Sequence, residues 1–259
     1  MVDGTFFGEQ GLDLEYTRIV IWIIKVRRKL ARLLQEERCS PRTFNSSASM
    51  INELIEEADV IDSSLQDYSA LLPKILLDGQ HPLPEPHPWP MRDFYTPEVR
   101  IYSSPGQAAI WCNYFATRIL INSTKLKLLE LGEPCKSIDK QRVEALYRIQ
   151  FMANELASSI PFCLERFKIT RCSDTESEKP TITLNISEDV TPCMATLLVW
   201  PLTLAASVGG VHASQQKWFR SELARIGRIV GYGVIECAET DQWPVNHLNL
   251  DRVDVVGAF

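Results

Sequence analysis

Residues 193–239 constrain the fold more than any other part of this sequence. A charge-free apolar segment is followed by a break at Gly209-Gly210 and then by an amphipathic segment. The spacing predicts two helices, over residues 188–208 and 213–238, that pack against each other as a hairpin. The apolar stripe of the second helix consists of Phe219, Leu223, Ile226, Val230 and Cys237. Nothing in this stretch is equipped for catalysis.

The apolar segment also raises the question of a membrane span. No charged residue lies between Asp189 and Lys217, and residues 194–211 approach the length of a bilayer-spanning helix. However, Pro, Thr, Ser, Gly and His residues interrupt the segment, and its flanks lack a basic side. We therefore expect a buried core helix and no contact with a membrane.

Four further helices are predicted over residues 14–38, 49–72, 105–131 and 137–159. The third has a clear start, with Ser104 as the N-cap, Pro105 in the first helical position and Gln107 in the third. It is apolar on several sides, which is typical of a central helix. The expected buried stripe of the fourth helix consists of Val143, Leu146, Ala153, Ala157 and Ile160.

The remaining segments have no helical pattern. Residues 73–105 contain the run HPLPEPHPWP, which favours an extended connector. Residues 167–187 and 241–259 are interpreted as loops, and the alternation at residues 181–184 is too isolated to predict a sheet. The expected fold class is all-α: an irregular array of six to eight packed helices, arranged as hairpins with a Pro-rich connector. We expect residues 1–259 to form a single domain.

Composition limits the function. The 259 residues carry a net charge of -6, which argues against a nucleic-acid-binding protein, because phosphate contacts need clustered Lys and Arg. The one basic run, residues 25–32, lies on an amphipathic helix and is interpreted as a solvated face rather than a nuclear-import signal. The seven scattered cysteines are typical of a reduced intracellular protein.

Candidate chemical groups are few, and we expect no catalytic residue, metal site or cofactor. His81 and His87 could share a metal with Glu85, but a Pro-rich backbone does not fix ligand geometry. His212 is interpreted as part of the hairpin turn, and His247 has no visible partner. Three aspartates on one predicted helix suggest either a solvated acidic face, which we favour, or a magnesium site of an isoprenoid enzyme. They are Asp59, Asp62 and Asp67.

Three segments occur in a characteristic order. Residues 109–121 contain Trp111 and the spaced Arg118, and residues 158–164 read Ser-Ser-Ile-Pro-Phe-Cys-Leu. Residues 198–231 combine Trp200-Pro201-Leu202 with a later Ile226-Gly227 and Gly231. In this order and spacing, the chain resembles the middle homology region of fungal zinc-cluster transcription factors, most closely over residues 65–238.

The resemblance implies an all-helical regulatory region that is nuclear and acts in transcription without enzymatic activity. Expected partners are proteins of the transcription machinery or a co-regulator, with a small-molecule effector and a homodimer left open. In this interpretation, Arg118 ties a helix end by hydrogen bonds, and residues 159–162 form a structural corner.

The sequence departs from that family in one respect. The family reads DNA with six cysteines packed around two zinc ions, whereas here the first cysteine is Cys39 and no such cluster occurs. No zinc ligand or DNA contact can be carried over, and we expect no direct nucleic-acid binding from this chain. It is expected to be a distal fragment, a truncated product, or a regulator that works without its own DNA-binding module.

Two other functions compete with the regulatory one. The first is a small-metabolite-sensing helical module, with a pocket between the Trp111 helix and the hairpin that carries Trp200 and Trp218. The second is a helical biosynthetic enzyme that uses Asp59 and Asp62 to hold magnesium.

Overall fold

A computed structural model describes residues 12–39, 44–72, 79–85, 89–132, 135–170, 181–185 and 190–243. The described chain is mostly helical, with eight α-helices and two small antiparallel sheets, which confirms the predicted all-α class. The helices are α1 (Leu12–Cys39), α2 (Phe44–Leu71), α3 (Pro105–Leu131), α4 (Lys136–Cys163), α5 (Pro192–Leu197), α6 (Val199–Ala205), α7 (Ala213–Val230) and α8 (Gly233–Glu236).

Helices α1 and α2 form the first hairpin. Each buries one apolar stripe, and the side chains of the two stripes meet in the core. The stripe of α1 is Ile19, Ile23, Val26, Leu30 and Leu33, and that of α2 is Ile51, Leu54, Ile55, Ala58, Ile61 and Leu65. Glu57 of α2 ties the hairpin together, since it accepts hydrogen bonds from Trp22 Nε1 at 2.6 Å and from Lys29 Nζ at 2.9 Å. The basic residues Lys25, Arg28, Lys29 and Arg32 are exposed, as predicted for a solvated face.

Helix α3 is the centre of the molecule. It contacts α1, α2, α4 and α6, and it buries residues around most of its circumference. Its start is the predicted one, because the Ser104 hydroxyl accepts a hydrogen bond from the Gln107 backbone N–H at 3.3 Å. The apolar character of this helix on several sides therefore follows from having neighbours on several sides.

The predicted stripe of α4 is wrong in its first half. Val143 is 66% exposed and Leu146 is 39% exposed, whereas Ala145 and Ile149 are buried. The buried line continues along the helix at spacings of three and four residues, and its second half includes the predicted Ala153, Ala157 and Ile160. Its later members are Met152, Ala153, Leu156, Ala157 and Ile160.

The expectation of no sheet is also wrong. Strand β1 (Gln80–Pro82) pairs with β2 (Glu98–Arg100), and β3 (Phe167–Thr170) pairs with β4 (Thr181–Leu184), both antiparallel. The partner of residues 181–184 is the segment that leaves α4, within a region interpreted as a loop. A small second core joins the two sheets and consists of Phe94, Val99, Ile101, Phe167 and Ile182.

The carboxyl-terminal hairpin is more broken than predicted. The first helix divides into α5 and α6 at Leu198, because Pro201 has no N–H to donate to the carbonyl of Leu197. The second ends at Val230, where Gly231 adopts a left-handed conformation with φ of 75°. Beyond α8, Cys237 begins a 3₁₀ turn that ends at Glu239, so it does not belong to the α7 stripe.

Candidate functional site

A cavity of about 400 Å³ lies beside α7 and is lined mainly by arginines. We call it the arginine cavity. Its lining residues are Arg92, Arg166, Ser221, Arg225, Arg228 and Ile229. They come from three separate parts of the chain: the connector before β2, the turn after α4, and α7 itself.

Helix α7 supplies most of the lining from one face. Ser221, Arg225, Arg228 and Ile229 are spaced by four, three and one residues, which aligns them along one side of a helix. The buried stripe of the same helix, which includes Phe219 and Leu223, anchors α7 in the main core. The amphipathic pattern of α7 therefore fixes the direction in which its arginines point.

The turn that ends α4 places Arg166. Its backbone N–H donates to the Pro161 carbonyl at 2.9 Å, and the Glu165 N–H donates to the Phe162 carbonyl at 3.1 Å. This is the Schellman arrangement, which requires a left-handed residue that is usually glycine. Here that residue is Glu165, with φ of 52°. Its carboxylate accepts a hydrogen bond from the Thr191 hydroxyl at 3.2 Å, which holds the strained turn in place.

A second turn places Arg92. The backbone N–H groups of Asp93 and Phe94 both donate to the Pro90 carbonyl, at 2.8 and 3.0 Å. The indole N–H of Trp218 in α7 donates to the Arg92 carbonyl at 3.1 Å. The connector is therefore fastened directly to α7 at the edge of the cavity.

Two buried carboxylates hold the arginines from behind. Asp93 and Glu222 are both buried, and neither lines the cavity. Arg225 Nη1 donates to Asp93 Oδ1 at 2.6 Å and to Glu222 Oε1 at 3.0 Å. Arg166 is less closely held, with Nε 3.9 Å from Asp93 Oδ1 and Nη2 3.6 Å from Glu222 Oε2. Both of these Arg166 nitrogens are buried and make no hydrogen bond.

The two carboxylates differ in their pKa. Burial raises the pKa of Glu222 above its ordinary value, even though Arg225 and Arg166 act in the opposite direction. Burial would also raise the pKa of Asp93, but its hydrogen bond and charge interaction with Arg225, together with the charge of Arg166, hold that pKa below its usual range. Asp93 is therefore the firmly ionised member of the pair.

Four guanidinium groups against two carboxylates leave an excess of two positive charges at this site. Guanidinium groups are donors only, in a planar fork that matches the oxygens of a carboxylate or a phosphate. The arrangement suits binding of an anion. Among the lining residues, Ser221 is the one hydroxyl, and no carboxylate or imidazole accompanies it as a base.

The three predicted aspartates have different environments, and the interpretation of a solvated acidic face is wrong for Asp62. Asp62 is buried and accepts hydrogen bonds from Arg118 Nε and Nη2, both at 2.9 Å. Asp59 accepts bonds from the buried Lys125 Nζ at 2.6 and 2.8 Å. The Asp59 side chain is 43% exposed, and Asp67 is exposed as expected. The face is therefore solvated in part, and at Asp62 it is polar because it packs against Arg118 of α3.

Arg118 differs from its expected role for the same reason. It lies in the middle of α3 and binds Asp62 in α2, so it joins two helices instead of tying a helix end. The expected corner at residues 159–162 forms the last turn of α4, immediately before the turn that carries Arg166.

Of the predicted histidines, His81 lies on β1 and His212 is the N-cap residue of α7, without a side-chain cap bond. His87 and His247 lie outside the described residues. Within the described ranges, no three His, Cys, Asp or Glu residues are grouped to hold a metal ion. None of the helices in these ranges combines the length and the hydropathy of a bilayer-spanning segment.

The predicted ligand pocket and the arginine cavity are different places. Trp200, which lies on the hairpin expected to form that pocket, is 42% exposed, and no residue of α3 or α6 lines the arginine cavity. The spacing of Arg225 and Arg228 on α7 is the one part of this cavity visible in the sequence. Nothing in the sequence links them to Arg92 or Arg166, because those residues reach α7 only through tertiary turns.

Comparisons of this chain with models of known protein families, with curated proteins and with solved structures each found no match.

Proposed function

We propose that this chain is a non-enzymatic regulatory domain that acts in transcription in the nucleus, of the kind found in fungal zinc-cluster regulators. The proposal rests on where the structure has the three segments whose sequence resembles the fungal zinc-cluster regulators. Residues 109–121 lie in α3, residues 158–164 cover the end of α4, and residues 198–231 form α6 and α7. Helix α3 contacts both α4 and α6, and α6 contacts α7, so the three segments share one core.

The residues singled out by the resemblance hold this core together. Arg118 makes a bidentate pair with Asp62. The hydroxyl groups of Ser159 and Tyr102 are joined by a hydrogen bond of 2.6 Å. The Ser159 hydroxyl also donates to the Glu155 backbone carbonyl at 2.7 Å. The Arg118–Asp62 pair joins α3 to α2, and a buried polar contact of this kind specifies one arrangement of the helices, which a domain that transmits a signal needs.

A second candidate function is a module that senses a small molecule, and the arginine cavity favours it. The cavity has the volume of a small-molecule site and an excess of positive charge. The biosynthetic-enzyme alternative has less support, because Asp59 and Asp62 are occupied by Lys125 and Arg118.

A reporter assay tests the regulatory proposal. The full chain is inserted between a heterologous DNA-binding domain and an activation domain, and reporter output is compared with that of an unrelated helical insert of similar size. We expect this chain to lower the output, because such regions restrain their activators. Equal output from both inserts, at equal protein level, would contradict the proposal.

Matched variants show whether any effect depends on the fold. Arg118→Ala removes the buried partner of Asp62, whereas Arg18→Ala removes an exposed arginine on α1 whose side chain is 68% exposed. The effect on the reporter should be lost with Arg118→Ala and kept with Arg18→Ala.

A further inference from the structure

We infer that the arginine cavity is a binding site for a phosphate group, carried by a small molecule or free in solution. The cavity wall consists of four guanidinium groups, the Ser221 hydroxyl and the apolar side chain of Ile229. Its volume of about 400 Å³ is sufficient for a small metabolite and too small for a folded partner.

The balance of charge favours a doubly charged ligand. Asp93 and Glu222 lie behind the wall and neutralise two of the four arginines. The remaining two positive charges match a phosphate monoester, which carries a charge of about -1.5 to -2 at pH 7. The buried carboxylates also fix Arg225, so its guanidinium does not have to be ordered when a ligand binds.

Arg166 is the most deeply buried arginine of the cavity wall. The residue is 8% exposed, yet its Nε and Nη2 atoms make no hydrogen bond. These two nitrogens face Asp93 and Glu222 at 3.9 and 3.6 Å, which is within ion-pair range but beyond the hydrogen-bond range. The two carboxylates therefore hold Arg166 in the wall by charge, and its guanidinium contributes positive charge that a phosphate in the cavity would complement.

The remaining lining residues indicate how a ligand enters and what else it contains. Arg92 and Arg228 are exposed at the mouth of the cavity, where positive charge attracts anions from solution. Ile229 is partly buried and offers an apolar surface beside them. This combination favours a phosphate ester with an organic part over free phosphate.

The inference concerns binding alone. It names phosphate compounds as the ligand of the proposed small-molecule-sensing module. It does not depend on whether the chain acts in transcription. The two experiments therefore test separate claims. The chain can lower reporter output without binding phosphate, and it can bind phosphate without lowering reporter output.

Calorimetric titration of the full chain tests the inference, with inorganic phosphate, phenyl phosphate and succinate as probes at constant ionic strength. We expect saturable binding of phenyl phosphate and weak or no binding of succinate, which has the same charge but planar carboxylates. Tighter binding of phenyl phosphate than of phosphate would identify an ester as the ligand, and equal affinities would identify the free ion. Absence of saturable binding by both phosphate probes, or equally tight binding of succinate, would overturn the inference.

Three variants assign the binding to this cavity. Arg166→Gln should weaken phenyl phosphate binding about tenfold, because it removes a buried positive charge from the cavity wall. Arg228→Gln removes only an exposed charge at the mouth and should weaken binding about threefold without affecting folding. Arg18→Gln, which removes the same charge from α1, should leave the affinity unchanged. Equal weakening by Arg18→Gln and Arg228→Gln would show non-specific attraction and overturn the assignment.

Discussion

At the scale of single residues, buried charge pairs between helices are the most consequential feature of the chain. Asp62 is surrounded by Arg118, Asn122 and Arg148, which donate hydrogen bonds of 2.8 to 3.2 Å to its carboxylate. Burial would raise the pKa of Asp62, but hydrogen bonds from Arg118 and Asn122 and the positive charges of Arg118 and Arg148 hold it below its usual value. Asp62 is therefore ionised at neutral pH and joins α2 to the central helix.

Asp62→Asn should destabilise the protein by about 3 kcal/mol at pH 7, because Arg118 is left as a buried charge without its carboxylate. The pKa of Asp62 is lower in the folded protein than in the unfolded chain, so its contribution is complete above about pH 4. That contribution is lost as the pH falls through the folded-state pKa. The difference in free energy of unfolding between the wild type and Asp62→Asn should shrink in acid, as measured by urea denaturation at several pH values.

The matched control is Asp67→Asn, which removes an exposed carboxylate from the same helix. It should change the stability by less than about 0.5 kcal/mol. A similar loss in both variants, or a difference for Asp62→Asn that does not depend on pH, would contradict the role assigned to the buried pair.

The thiols provide a second residue-scale prediction. Cys112 and Cys163 are buried, and the neighbouring Cys163 thiol together with burial raises the pKa of Cys112 well above its usual value. Cys135 and Cys193 are exposed. Brief treatment of the native protein with iodoacetamide, followed by peptide mapping, should label the exposed pair and not the buried pair. Rapid labelling of Cys112 would show that the core around it is open.

At the scale of secondary-structure elements, the end of α7 depends on one close approach. A Cβ atom at Gly227 would lie 2.5 Å from the backbone nitrogen of Glu236, so α8 can pack there only against a glycine. The Gly227 carbonyl also accepts a hydrogen bond from the Tyr232 N–H at 2.9 Å, which closes the helix. Because this Cβ would meet backbone atoms rather than a flexible side chain, a larger residue at position 227 must displace α8.

Gly227→Ala should therefore destabilise the protein by about 1–3 kcal/mol, despite the better helix propensity of Ala. Gly106→Ala in the first turn of α3 is the control, because a Cβ there has nothing within 4 Å. That variant should be neutral or more stable by up to about 1 kcal/mol. Thermal unfolding of both variants measures the contrast, and a neutral effect of Gly227→Ala would show that α8 is not packed as described.

The elements also show what a sequence can and cannot predict. Long helices such as α1 and α3 follow from local patterns: the periodic stripe beginning at Ile19 and the cap at Ser104. Strand β4 was missed because its partner β3 depends on pairing across residues 171–180, which a local pattern does not encode. The arginine cavity is invisible for a similar reason, since Arg92 and Arg166 reach α7 through separate turns.

At the scale of the whole molecule, one continuous apolar core contains buried residues from α1 through α7. Helix α3 makes this continuity possible, because it contacts the α1–α2 hairpin on one side and α4 and α6 on others. The arginine cavity adjoins the same core, because its lining residues include residues of α7 and Arg166 in the turn that ends α4. A ligand bound there would therefore contact elements that are rigidly connected to the central helix.

Amide hydrogen exchange of the full chain tests this single body most directly. If α1 to α4 and α7 share one core, the amides of buried residues such as Ile23, Ile61, Ile119, Ile149 and Phe219 should exchange only through global unfolding and report one free energy. Exchange of the α1 and α2 amides at a clearly lower free energy than those of α3 and α4 would show two independent units and contradict the account.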